Sequence, residues 1–314
     1  MKRLFLILAC VPALVCVHAQ EKVEMLPFGN MDSWAVRHIK ESFILGGDIK
    51  DHYSIAPQQS IDGPTPLPKR GNSPWGTSNA YAKVLGVETV SVSVTPEKHG
   101  NGNCCKMETR MHTIGAAGIN FSALITGSIF TGTTVDPMTS EFTTDPRSAI
   151  NMGIPFKRRP KALILDYKAK ILNGAVVCAN GTSVIRKPQD KDAAQITLIL
   201  QHRWEENGRI FAYRVGTATE RITKSSNGWV NNHRLNVRYG DITKQSDYKA
   251  WEALSKRTHK ARNKSGRMVY IEEKEFRADV EPTHMIVLIS SSCLPPFTGC
   301  VGNTIWVDNI RLAY

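Results

Sequence analysis

The final stretch, Gly302-Asn303-Thr304-Ile305-Trp306-Val307-Asp308-Asn309-Ile310-Arg311-Leu312-Ala313-Tyr314, reads as a β-strand that runs to the last residue. Gly302-Asn303 is a turn signal, and β-branched and aromatic residues dominate the run after it. Ile310, Leu312 and Tyr314 share one face and Arg311 takes the other, the alternation of a half-buried strand. Ile305 and Val307 sit on the opposite parity, so the inward face must switch near Asp308-Asn309, which a bulge would do. A core strand at the very end points to a closed all-β domain.

Working backward, strand-like runs recur at short intervals. They include Glu88 to Val94, Cys104 to Met111, Ser122 to Phe130, Ala162 to Ile171, Gln195 to Gln201 and Met285 to Ser290. Gly, Pro, Asn and Asp clusters separate them, the spacing of a sandwich of two antiparallel sheets rather than of βαβ units. Thr197 to Leu200 and Met285 to Ile289 are continuous apolar runs and suit central strands covered on both faces. One helix is expected after Ser246-Asp247, where Tyr248, Trp251 and Leu254 recur three apart. Prolines and glycines between Pro57 and Pro74 mark a loop.

At the other end, Met1-Lys2-Arg3 precedes an apolar run from Leu4 to Val17, with small Val17 and Ala19 before Gln20. This is the pattern of a secretory signal peptide cleaved after Ala19. The run is shorter than the roughly twenty residues that span a bilayer. Too few apolar residues precede Cys10, and Cys16 follows Val15, so no lipid anchor is expected. The organisation expected is thus a leader over 1–19, an extended segment and Pro-rich loop over 20–73, and a sandwich over 74–314. The mature chain would be exported, to the periplasm or the cell surface.

Cleavage takes the formal charge from +12 to +10 by removing Lys2 and Arg3. A basic balance invites a nucleic-acid reading, but the run from Lys249 to Arg267 lacks interleaved stacking aromatics and a recognised nucleic-acid fold. It reads as a solvated connector with no nucleic-acid partner. Five cysteines remain, and Cys293 and Cys300 flank a Pro-Pro loop that a disulfide would close.

Several segments, taken in order, resemble the putative carbohydrate metabolism domain family. They are Pro74-Trp75-Gly76-Thr77-Ser78-Asn79, Lys106 to Arg110, Gly127 to Gly132, and Gly153-Ile154-Pro155-Phe156 with Arg159-Pro160. Ile196 to Leu200 behind Asp190 and Asp192, Ser290-Ser291-Ser292, and Gly302 to Asn309 complete the set. The resemblance covers about Trp75 to Tyr314 and implies a jelly-roll β-sandwich similar to galactose-binding domains, with a carbohydrate-linked role. The chain departs from the family pattern in the loop Cys293 to Cys300, where a Gly-Asp and an aromatic are usual.

Sugar-binding sandwiches set flat aromatic faces against the C–H faces of a pyranose and polar groups against its hydroxyls. Trp75 in a Pro-Trp-Gly turn, Trp204 at a strand end and Trp229 after Asn227-Gly228 are the candidate platforms. Trp34, Trp251 and Trp306 read as core or helix-stripe residues. Where first and last strands lie side by side, as in related sandwiches, Asn30, Asp32 and Asp308 offer the hard oxygens of a structural Ca²⁺. The competing reading gives Asp32 and Asp308 turn or bulge hydrogen bonds. No cofactor is required. Catalysis has no motif: Glu108, Asp166, Asp192, Glu205 and Glu206 are available, but no spacing pairs two of them across a glycosidic bond. The sequence therefore points to an exported, non-catalytic carbohydrate-binding protein that supports glycan capture at the envelope. Its partners would be an oligosaccharide or polysaccharide and other envelope proteins. A glycoside hydrolase is the alternative, and a structural or adhesive surface protein the second.

Overall fold

The computed structural model describes residues 21–314 apart from 69, 85, 117–118, 140–144 and 189. The leader expected over 1–19 lies outside the described residues. Among the described residues no helix is long and apolar enough to cross a membrane.

The closing strand, Thr304–Ala313, lies in the middle of a six-stranded sheet. It pairs with Ala162–Lys170 on one side and Gly102–Glu108 on the other. Val230–Asn236 and Val94–His99 form the two edges. The bulge is present: Ile164 faces Arg311 and Asp166 faces Asp308, so the closing strand spends one residue more than its partner. Asn309 absorbs it with φ of 51°, a conformation that asparagine tolerates better than most side chains. Ile305, Val307, Ile310 and Leu312 consequently all reach the core.

The facing sheet is built around the long hairpin of Ala194–Glu206 and Arg209–Ile222. His284–Ser290, Ser128–Thr134 and Trp75–Thr77 extend it on one side, and Met268–Phe276 on the other. Among the described strands pairing is antiparallel except at 210–214 with 271–276 and at 35–38 with 59–62, and the isolated bridge of Ala82 with Met138 is parallel too. Ile196, Leu198, Leu200, Met285, Val287 and Ile289 interlock with the inward face of the first sheet. Their neighbours Ile199 and Ile286 point the other way, into a second cluster with Phe130 and Met152. Cover on both faces is why these two strands read as unbroken apolar runs. The result is an all-β, jelly-roll-like sandwich.

The first described residues meet the closing strand. Leu26 N donates to Ile310 O (3.0 Å), Ile310 N to Gly29 O (2.8 Å) and Tyr314 N to Lys22 O (2.8 Å). A Cβ on Gly29 would stand 2.5 Å from Ile310 O, so only glycine fits this crossing.

Three expectations change. Residues 34–62, expected as an extended segment entering a loop, form a three-stranded sheet of Trp34–Lys40, Ile49–Ile55 and Gln59–Asp62. Its alternation is disguised because one inward residue is Arg37, 1% exposed and paired with Asp136. The helix after Ser246 shrinks to a single 3-10 turn, Ala250–Glu252. There the Glu252 carboxylate folds back onto Lys249 N (2.8 Å) and pairs with Arg238, while Trp251 turns outward beneath Arg221. Finally, Cys293 and Cys300 are free thiols, as are Cys104, Cys105 and Cys178. The loop between Cys293 and Cys300 is closed instead by Asp192, whose carboxylate accepts the backbone N–H of both (3.2 and 2.9 Å).

Candidate functional site

In the six-stranded sheet, the alternation that buries Leu165, Tyr167, Ile305, Val307, Cys105 and Met107 turns their neighbours outward. Lys168, Trp306 and Lys106 are therefore in line across three strands, Lys168 opposite Trp306 and Trp306 opposite Lys106. The Lys168 ammonium lies 4.2 Å from the Trp306 ring centre and the Lys106 ammonium 5.8 Å from it. Cations over an indole face are attracted by its quadrupole. Trp229, just before the edge strand Val230–Asn236, brings a second indole within 5.7 Å of the same Lys168 ammonium. Lys106 also reaches Glu97 (3.6 Å) and Glu108 (3.5 Å). Lys168 has no carboxylate partner among the described residues. The Trp306 Nε1–H is buried and makes no hydrogen bond among them.

His99, from the hairpin at the opposite edge, stacks on Trp229 with ring centres 3.8 Å apart and planes 18° from parallel. Its Nδ1 lies 2.7 Å from Asp308 Oδ2. Burial raises the Asp308 carboxyl above its usual range, the His99 hydrogen bond pulls it back, and the charge of Asp32 adds to the rise. Directly opposite Asp308 stands Asp166, which accepts from Asn232 N (2.6 Å) and Asn309 Nδ2 (2.8 Å) and lies 3.4 Å from Arg311. The face thus presents two indoles, an imidazole, an unpaired ammonium and two carboxylates.

Of the residues expected to bind sugar, only Trp229 lies in this cluster. Trp75 is fully buried in the core with Nε1 bonded to Pro27 O (2.9 Å), so it has no surface to offer a ligand. Trp204 lies apart, at the far end of the long hairpin, packed on Tyr213 (4.6 Å) and Phe211 (5.7 Å). The oxygen-rich trio does gather near this face. Asn30 donates to Asp32 Oδ2 (2.7 Å) and Asn103 N to Asp32 Oδ1 (2.8 Å), while Asp308 is held by His99 and Asn309 N (2.7 Å). Their oxygens are engaged by protein donors. Among the described residues no three His, Cys, Asp or Glu side chains converge as metal ligands.

Trp306, expected in the core, belongs to this outer face. The parity that puts Ile305 and Val307 inside puts Trp306 outside, so the local alternation already carries its placement. Lys168 is recoverable from the same alternation. His99 carries no such signal, because a hairpin tip folding over the face is a long-range event.

The model of one family, described as putative carbohydrate metabolism domain, matches residues 49–313. The chain belongs to this family. The match begins inside the three-stranded sheet and takes in every residue of the outer-face site except Asn30 and Asp32. No curated protein matches the chain. Among solved structures, one described as a putative glycoside hydrolase from Bacteroides thetaiotaomicron is similar, with TM-score 0.45 and 16% identity. That match covers 86% of this chain and 76% of the other. A second with the same description, from Bacteroides vulgatus, has TM-score 0.43 and 18% identity over 70% of this chain and 76% of the other.

Proposed function

We propose that the protein binds an oligosaccharide on the outer face of the six-stranded sheet, without turning it over, and supports glycan capture at the cell envelope. The observation that carries this reading is the pair of half-buried indoles, Trp229 and Trp306, sharing the Lys168 ammonium beside the His99–Asp308 pair. Rings supply flat apolar surface for a pyranose, while the Lys168 ammonium, which has no carboxylate partner among the described residues, supplies donors for its hydroxyls. A glycan-array screen followed by calorimetry tests it. Trp229→Ala is expected to weaken the best glycan about tenfold or more, with Trp229→Phe recovering much of the loss. Equal affinity in Trp229→Ala would refute the placement.

A second reading is favoured by one observation: Asp166 and Asp308 face each other on adjacent strands, and burial raises the Asp308 carboxyl, as a general acid requires. A glycoside hydrolase would use such a pair. Both carboxylates are nevertheless buried and fully occupied by hydrogen bonds. Release of reducing sugar from the glycan that binds, abolished in Asp308→Asn, would establish the enzyme in place of the binding protein.

A further inference from the structure

Three polar side chains line up across the three-stranded sheet. His38 is on its middle strand, with Asp51 directly opposite on one neighbour and Ser60 on the other. Trp34 and Ile55 share this face and are buried in the core, and Tyr53 packs beside them. Alternation along the strands carries His38 and Asp51 out from under that cover. Their side chains are 33% and 45% exposed, and Ser60 is exposed too, so a substrate can reach all three.

The distances fix the order of the groups. Ser60 Oγ lies 2.9 Å from His38 Nε2, and His38 Nδ1 lies 2.7 Å from Asp51 Oδ1. A carboxylate only accepts, so Nδ1 carries the hydrogen and donates it to Asp51. In the neutral ring Nε2 then keeps a lone pair, and the Ser60 hydroxyl donates to it. Asp51 is itself held, because its Oδ2 accepts from the Tyr53 hydroxyl (3.1 Å). Burial, and then this bond to Asp51, raises the Tyr53 phenol above its usual range, so it keeps the proton it donates. A hydroxyl, a base that takes its proton and a carboxylate that orients the base are what activates a serine. Such a set is recognised by geometry and not by sequence spacing.

We propose that Ser60, His38 and Asp51 form an esterase site for carboxylic esters. Ser60 Oγ attacks the ester carbonyl carbon as its proton passes to His38 Nε2, and Asp51 steadies the imidazolium through Nδ1–H. The bond to the leaving oxygen breaks as Nε2 gives that oxygen the proton. The alcohol departs and an acyl-Ser60 ester remains. Water then attacks the acyl carbon. Its proton goes to Nε2 and on to Ser60 Oγ as that bond breaks, and the carboxylic acid is released. At this open rim water meets the oxyanion, and each fixed donor forgone costs about 10²–10³-fold in rate. Esters with a good leaving group therefore suit the site, and peptide bonds do not. It uses no residue of the Trp229 face and does not rest on glycan binding there.

Two measurements on the full chain test it together: hydrolysis of p-nitrophenyl acetate, and labelling by a fluorophosphonate located by peptide mass spectrometry. The phosphonate adduct is expected on Ser60. Hydrolysis is expected to fall about 10²-fold or more in Ser60→Ala and in His38→Gln. Asp51→Asn should slow acylation and move the acid limb of its pH profile, which a merely structural role would leave in place. The three side chains are part or fully exposed, so each variant should keep the wild-type melting temperature. Absence of an adduct on Ser60, hydrolysis by Ser60→Ala equal to wild type, or an unmoved pH profile in Asp51→Asn would each overturn the assignment.

Discussion

Asp192→Asn tests whether a buried carboxylate, rather than a disulfide, holds the loop from Cys293 to Cys300. Asp192 Oδ1 accepts from Ala193 N (2.8 Å), Ser292 Oγ (2.8 Å) and Cys293 N (3.2 Å). Oδ2 accepts from Cys300 N (2.9 Å) and Asn303 Nδ2 (3.3 Å). An asparagine keeps the shape but turns one acceptor into a donor. In its better orientation the new NH₂ replaces Oδ2 and leaves the Cys300 and Asn303 donors without an acceptor. Each such buried orphan costs about 1–3 kcal/mol, so the variant should lose about 2–6 kcal/mol. Against a total stability of about 5–15 kcal/mol this is a large fraction. Urea unfolding followed by tryptophan fluorescence measures it, on wild type and variant, with and without dithiothreitol. Wild-type stability should be the same in both conditions, whereas losing a structural disulfide typically costs about 2–5 kcal/mol. A variant within about 0.5 kcal/mol of wild type, together with a reductant-sensitive wild type, would refute the carboxylate clip.

Acid should destabilise the fold through two buried histidines. Burial, reinforced by the Arg37 charge, holds His52 down to about 4, and burial does the same to His259 against the opposing pull of Glu273. The unfolded chain takes up a proton near pH 6.5 that the fold refuses. Stability is therefore complete above that pH and falls as pH drops towards about 4, by up to about 3 kcal/mol per histidine. Urea midpoints between pH 7.5 and 4 check this, and a flat profile in wild type would disprove it. Gly29→Ala forces a Cβ to within 2.5 Å of Ile310 O, a backbone atom. The expected loss is about 1–3 kcal/mol by thermal unfolding, and an unchanged melting temperature would show that the N-terminal segment is not clamped on the closing strand.

What alternation could reveal, the sequence held. The parity switch at Asp308-Asn309 appears in the structure as a bulge with Asn309 at positive φ, and the strand it belongs to lies at the centre of its sheet. The two apolar runs are central strands because each is covered twice. Reading failed where partners are far apart in sequence. Arg37 looks like a solvated residue until Asp136 is brought to it, and Asp192 looks like one carboxylate among many until the loop at 293–300 folds onto it. Cys293 and Cys300 do come close, since both backbone N–H groups reach one carboxylate. Their thiols are free, and the loop is held by that carboxylate.

The outer-face site shows the same division within a single cluster. Local alternation turns Lys168, Trp306 and Lys106 outward, and strand register then converts that parity on three strands into one row. Trp229 and His99 come from opposite edges, and nothing in either neighbourhood dictates that their rings meet. Their rings stack at 3.8 Å, and His99 also bonds Asp308, whose carboxyl burial raises and the His99 hydrogen bond pulls back. The chemistry of the face therefore depends on a contact between two sheet edges that only the folded chain creates. A variant that removes the His99 ring should alter both the Trp229 surface and the titration of Asp308, although neither residue is its neighbour in sequence.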